Sequence, residues 1–246
     1  MKQYIDGTYL KDFSDASIPV ETHQANILKL VAQAIQFQLK LVMISPKFIS
    51  LAKNKITEVS SKVLVGTVID FPEGISSTEI KLAMAQKAID DGADELDFVI
   101  NYRAFKNGKT EVVKNEVLKC TKFCLHHHKT VKWIIETAAL TEKEIILICV
   151  LIKNVVIANF PEKDYQNVFV KSSTGFFKTP NGEPSGATPE AIIAMLENAS
   201  PLPIKASGGI RNYEDAEKMI QLGVQRIGTS AISEIMNHEN GSDSLY

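Results

Sequence analysis

A single α/β domain closed into a TIM (β/α)8 barrel is the fold this sequence predicts, on three observations. Apolar, β-prone runs recur eight times, at 4–5, 39–44, 63–69, 95–100, 131–136, 168–171, 203–205 and 226–229. Segments of helical spacing separate most of them, which gives the order strand, helix, strand, helix. The length of 246 residues and a hydrophobic content of 45% suit one such domain spanning 1–246, with no linker or composition shift to divide it.

The elements follow in chain order. The runs VLVGTVI (63–69) and VFV (168–170) are continuous rather than alternating, as strands buried on both faces are, and strand–helix alternation implies parallel pairing by right-handed crossovers. An open doubly wound sheet is the alternative, but no GxGxxG follows the first strand. The third helix is expected to start in a capping box at Ser76–Glu79, and the helix after strand five in another at Thr141–Glu144. Thr188 before Pro189 and Asn212 before Tyr213 read as further helix starts. Gly92 and Gly223 stand where a left-handed residue ends a helix. Residues 149–167 could hold helix, strand or both; the helix is placed early and strand six at Val168. The polar tail, 237–246, is expected to be a flexible terminus, or else to fold over the barrel mouth so that the Tyr246 phenol assists proton transfer.

A formal net charge of -2 with mixed signs gives no electrostatic case for nucleic acid or an anionic membrane, so any anion site must be local. The first residues lack a signal-peptide pattern and no apolar run approaches the ~20 residues of a membrane span, so a cytoplasmic protein is expected. Cys120, Cys124 and Cys149 form no disulfide framework. Cys120 and Cys124 before His126, His127 and His128 match no usual zinc spacing and read as one helix, so no metal is expected.

Polar residues stand at or near the ends of five predicted strands: Asp6, Asp97, Glu136, Lys171 and Lys205. Barrel sites are built at the C-terminal rim, so these residues should converge. A lysine amine is a nucleophile only when neutral, and its ordinary pKa of about 10.4 must be lowered. A second ammonium about 4 Å away, at an effective dielectric of about 20, repels it by roughly 4 kcal/mol, or about 3 pKa units. Lys205 can thereby activate Lys171, or the reverse, without deep burial. A neutral lysine facing an aldehyde or ketone forms a carbinolamine and then a Schiff base, with Asp97 placed to move protons. Glu136 is expected to support neighbouring backbone. The small-residue turns carrying Ser173, Thr174 and Gly175, then Gly208 and Gly209, then Gly228, Thr229 and Ser230, suit phosphate, with Arg211 as an extra contact.

With these residues in place, the chain resembles the deoxyribose-phosphate aldolases, class I enzymes on a TIM barrel. The resemblance runs from IDGTYLK through VGTVIDFPEG, GADELDFVIN, VKWIIET and VKSSTGF to IKASGGIRNYEDA and IGTSA. It implies reversible cleavage of 2-deoxy-D-ribose 5-phosphate to acetaldehyde and D-glyceraldehyde 3-phosphate, with no cofactor. It gives Lys171 the Schiff base, Asp97 the proton transfers and Lys205 the tuning of Lys171, and it matches Asp6 and Thr8 to the family's first-strand motif. Three positions depart from the family pattern. Gly7 stands where a histidine is common, NFPEKDYQN replaces a Gly-Ala-Asp ending before strand six, and Phe176 takes a position that is basic in some members. The expected partner is a small phosphorylated sugar, and the expected assembly a homodimer. The rival functions are another Schiff-base aldolase or transaldolase, and a non-catalytic sugar-phosphate-binding protein; nothing suggests a pyridoxal-phosphate site.

Overall fold

The computed structural model describes residues 1–11, 17–179 and 186–237. Tyr246 and the tail beyond residue 237 lie outside them. Eight strands pair in chain order and close on themselves: β1 (Ile5–Tyr9), β2 (Leu41–Ile44), β3 (Leu64–Ile69), β4 (Glu95–Val99), β5 (Thr130–Ile134), β6 (Val168–Lys171), β7 (Ile204–Ser207) and β8 (Arg226–Thr229). Every pairing is parallel, including that of β1 with β8, which seals the barrel. The predicted TIM barrel is therefore the observed fold.

Around the strands run α1 (Val20–Phe37), α2 (Ile49–Glu58), α3 (Thr78–Asp90), α4 (Tyr102–Lys106), α5 (Thr110–His126), α6 (Glu142–Asn159), α7 (Pro189–Ala199), α8 (Tyr213–Leu222) and α9 (Ile232–Met236). The ambiguous stretch resolves as expected: α6 takes the early part, a 3-10 segment covers Glu162–Asn167, and β6 starts at Val168. Thr141 and Glu144 form the full capping box, and Thr188 and Asn212 cap α7 and α8. The cap of α3 is Ser77 rather than Ser76. The Ser76 hydroxyl is drawn instead to Asp70 Oδ1 at 2.7 Å, which leaves Ser77 to accept from Ile80 N–H.

Five expected placements need correction, and each correction moves a site residue. β1 begins at Ile5 and continues through the small residues Gly7 and Thr8, because the ladder to β2 runs from Asp6 opposite Leu41 to Tyr9 opposite Ile44. Asp6 is thus near the bottom of a strand, not at its end. Asp97 is the middle residue of β4, and Lys205 is the second residue of β7. β5 stops at Ile134, so Glu136 stands two residues past it, with a left-handed φ of 57°. Gly228 and Thr229, expected in a turn, belong to β8.

Successive side chains of each strand alternate between the helix layer and the barrel interior. Outward residues such as Leu96, Phe98, Val131 and Trp133 form the main core; the Phe98 and Trp133 rings lie 5.3 Å apart, and Trp133 Nε1 donates to Thr121 on α5. Gly7 is outward too. A Cβ there would lie 2.7 Å from Ile232 Cδ1 and 3.1 Å from Leu30 Cδ1, so the glycine that departs from the family motif makes room for core packing, away from the interior. Cys120 and Cys124 lie buried on one face of α5, which accounts for their spacing, and burial pushes both thiols up. Among the described residues no helix is long and apolar enough to cross a membrane.

Candidate active site

The inward face of the barrel divides in two. β2 and β3 send in Leu41, Met43 and Val68, which pack with Leu10. The other six strands send in charge: Asp6 from β1, Glu95 and Asp97 from β4, Lys132 from β5, Lys171 from β6, Lys205 from β7 and Arg226 from β8. All seven are buried, none more than 4% exposed. A buried ion is tolerated only where it is paired and hydrogen-bonded. Here every member is paired.

Asp97 is the centre. Its Oδ2 accepts from Lys171 Nζ at 3.0 Å and from Lys205 Nζ at 2.9 Å, and its Oδ1 accepts from Lys132 Nζ at 2.6 Å. The two lysines meet on one oxygen because Lys171 and Lys205 are register partners across β6 and β7. Beneath them Lys205 pairs with Asp6 at 2.7 Å, Lys132 pairs with Glu95 at 2.6 Å, and Arg226 joins Asp6 to Glu95, with Nη1 and Nη2 gripping the two Glu95 oxygens at 3.1 and 2.9 Å. Gly228 leaves room for this layer, since a Cβ there would lie 3.2 Å from Lys205 Cε.

The protonation of the group follows from these contacts. Burial, then the neighbouring Lys205 ammonium, lowers the pKa of Lys171 to about 8 against the opposing pull of Asp97. At pH 7 roughly a tenth of such an amine is neutral, against about 0.04% for an ordinary lysine. The predicted repulsion operates, but burial is the larger cause, which corrects the expectation that deep burial is not needed. Burial works to raise the Asp97 carboxyl, yet Lys132, Lys205 and Lys171 together hold it well below the usual carboxylate range. Burial opposes the charge on Lys132 as well, and Asp97, Glu95 and Asp6 override it.

Above this layer, at the C-terminal end of the barrel, opens a cavity of about 270 Å³. Of the residues singled out from the sequence, Thr8, Lys171, Thr174, Gly175, Gly208, Gly228, Thr229 and Ser230 line it. Asp97 lies below its floor in contact with Lys171, and Lys205 meets the same Asp97 oxygen. Asp6 lies deeper and touches only Lys205, Lys132 and Arg226 among charged groups, so it supports the site from beneath rather than facing a ligand. Ser173, Gly209 and Arg211 stand outside the lining. Ser173 is committed to the backbone, donating to Ser207 O and accepting from Gly175 N–H.

The turn after β6 is also internally engaged. Thr174 N–H goes to Glu136 Oε2, Gly175 N–H to Ser173 Oγ and Phe176 N–H to Thr174 Oγ1, while the Thr174 hydroxyl donates to Glu136 Oε2. Glu136 thus holds neighbouring backbone, as expected for it; burial pushes its carboxyl up, with the Thr174 hydrogen bonds opposing. An apolar wall of Leu10, Phe176 and Phe177 completes the cavity, with Phe71 edge-on to Phe176 at 5.0 Å and the exposed Lys11 and Lys178 at the mouth.

Sequence reasoning missed Lys132, Glu95, Arg226, Lys11 and Lys178. A signal for the first three was present. Every strand of a closed parallel barrel is buried on both faces, so a charged residue inside one must be paired across the interior.

Comparison with known proteins agrees with this geometry. The sequence model of the DeoC/LacD family aldolases matches residues 2–236. A deoxyribose-phosphate aldolase of Thermococcus gammatolerans is 40% identical over 230 residues, 93% of this chain and 92% of the relative. The deoxyribose-phosphate aldolase 1 of Oceanobacillus iheyensis is 37% identical over 243 residues, 98% of each chain. Among solved structures, the tetrameric deoxyribose phosphate aldolase of Aeropyrum pernix superposes with a TM-score of 0.76 at 25% identity, covering 96% of this chain and 89% of that one.

Proposed function

Because the chain belongs to the DeoC/LacD family of aldolases, we propose that it catalyses the reversible cleavage of 2-deoxy-D-ribose 5-phosphate to acetaldehyde and D-glyceraldehyde 3-phosphate through a Schiff base on Lys171. The observation that carries the reading is Lys171 itself, a buried amine with a lowered pKa that lines the cavity and shares Asp97 Oδ2 with a second lysine.

In this reading neutral Lys171 Nζ attacks the C1 aldehyde carbon to give a carbinolamine. Loss of its hydroxyl as water, with one proton supplied from the Asp97–Lys205 pair, leaves the iminium. Return of the C3 hydroxyl proton to the Asp97–Lys205 pair sends the C2–C3 bonding electrons into that iminium, releasing glyceraldehyde 3-phosphate and leaving an enamine. Protonation at C2 and addition of water then free acetaldehyde and return the amine. The iminium is the electron sink, so the scheme calls for no cofactor or metal.

The phosphate is assigned to the rim formed by Gly208, Thr229 and Ser230, with Lys11 and Lys178 supplying positive charge at the mouth. The turn at 173–176 contributes less, because its amides are already engaged. Arg211 lies away from the lining and is dropped from that assignment. The proposed setting is the cytoplasm and the proposed assembly a homodimer; sedimentation would distinguish it from the tetramer of the Aeropyrum relative.

Borohydride reduction with acetaldehyde should leave an ethyl group on Lys171, located by peptide mass mapping. Lys171→Leu should lower turnover of the phosphosugar by roughly 10⁴-fold or more while the fold persists. An adduct on another lysine, or none, overturns the reading.

A further inference from the structure

We propose that the ion cluster inside the barrel selects Lys171 as the amine that gives up its proton by its count of charges, and that Lys132 is the positioning residue that sets this count. The inference rests on the reading of Lys171 as the Schiff-base lysine.

With every group ionised, four cations, Lys132, Lys171, Lys205 and Arg226, face three carboxylates, Asp6, Glu95 and Asp97. The strands not represented, β2 and β3, present only apolar side chains to the interior, so nothing from that side balances the surplus. Among the described residues Glu136 also acts on Lys171, but its carboxyl is turned to the turn at Thr174 and burial raises its pKa. A net charge enclosed in a low-dielectric interior is strongly disfavoured, and losing one proton removes it.

The contacts decide which proton. Arg226 cannot be deprotonated in a protein. Lys132 touches Glu95 and Asp97 and lies 3.9 Å from Asp6. Lys205 touches Asp6 and Asp97. Lys171 has Asp97 alone, on an oxygen already shared with Lys205, and it is the only one of the four that lines the cavity. Lys171 is therefore the least compensated cation and the one with an exit for its proton. Three cations and three carboxylates remain.

The count makes two predictions of opposite sign. Lys132→Gln keeps a hydrogen-bond donor toward Asp97 but removes a cation, so the cluster balances with Lys171 protonated and the amine holds its proton to higher pH. Glu95→Gln removes an anion, so even with Lys171 neutral the cations are in excess and its proton leaves at lower pH. A purely structural role would not move the two in opposite directions.

The experiment measures the initial rate at which cyanoborohydride traps acetaldehyde on Lys171 across a pH series, read by peptide mass mapping. Lys132→Gln should raise the midpoint by about one unit, seen as a roughly tenfold slower reaction on the acid side that recovers at high pH. Glu95→Gln should lower it by about half a unit, and Lys132→Arg, which keeps the charge, should stay near the parent. Unchanged midpoints, or shifts in the same direction, overturn the charge count. If Lys132→Gln does not fold, the sign of the Glu95→Gln shift decides. A parent adduct on another residue overturns the Schiff-base assignment itself, and is recognised before any variant is compared.

Discussion

The two halves of the barrel interior are built on opposite principles. On the side of β2 and β3, Leu41, Met43 and Val68 fill space, and they close over Gly66, where a Cβ would lie 2.7 Å from Met43 Cε and make that side chain shift. On the other side seven charged groups occupy equivalent positions, with hydrogen bonds and ion pairs as their cohesion. The apolar half can change by a methyl group and lose only contact and cavity energy. The charged half cannot lose a partner without leaving a buried ion exposed to nothing, so its members are coupled in a way that the leucine and methionine are not. The barrel is thus a scaffold on one side and a tuned electrostatic medium on the other.

The sharpest way to break this contrast is to compare one deletion from each half. Asp97→Asn removes the carboxylate that three lysines share, leaving four cations against two carboxylates and turning an amide N–H₂ toward ammonium groups. Urea unfolding should show a loss of about 4 kcal/mol, together with a severe loss of turnover, because an ion left uncompensated in the interior costs more than a lost contact. Leu41→Ala should cost about 3 kcal/mol through lost burial and a cavity, yet leave the pH profile of Lys171 trapping where it was. If Asp97→Asn proves no more destabilising than Leu41→Ala, or if Leu41→Ala shifts that profile, the division is wrong.

The same contrast explains what the sequence disclosed. The run VFVK showed a strand whose last residue emerges at the rim, and the pairing of Lys171 with Lys205 across β6 and β7 gives that reading its geometry. The barrel was legible because burial on both faces leaves continuous apolar runs such as VLVGTVI. Val131-Lys132-Trp133 was harder. Its alternation reads as an ordinary half-exposed strand, whereas the outward residue Trp133 packs against α5 and the lysine points into the interior. Glu95 and Arg226 were hidden in the same way. Asp6 was placed at a strand end because the apolar run stops at Ile5, and only the ladder to β2 shows that the strand continues through Gly7 and Thr8. What stayed illegible is the cross-barrel pairing of charges from strands more than a hundred residues apart, such as Arg226 with Glu95.

The smallest predicted effect lies where the charged interior gives way to the ligand-facing rim. Glu136 has a left-handed backbone at the start of the 3-10 segment Thr137–Ala139, and its Oε2 receives both the N–H and the hydroxyl of Thr174. That threonine accepts from Phe176 N–H, so one carboxyl fixes the turn that carries the apolar wall of the cavity. Glu136→Gln keeps an acceptor oxygen and should cost about 1 kcal/mol or less. Glu136→Ala leaves two donors of Thr174 without their acceptor and should cost about 2 kcal/mol. Because the Glu136 carboxyl is directed at the turn that carries the apolar wall of the cavity rather than at the amine, Glu136→Ala should raise KM for the phosphosugar several-fold while acetaldehyde trapping on Lys171 proceeds at the parent rate. Equal losses in both assays would place Glu136 in the charged half after all, acting on Lys171 instead of on the turn.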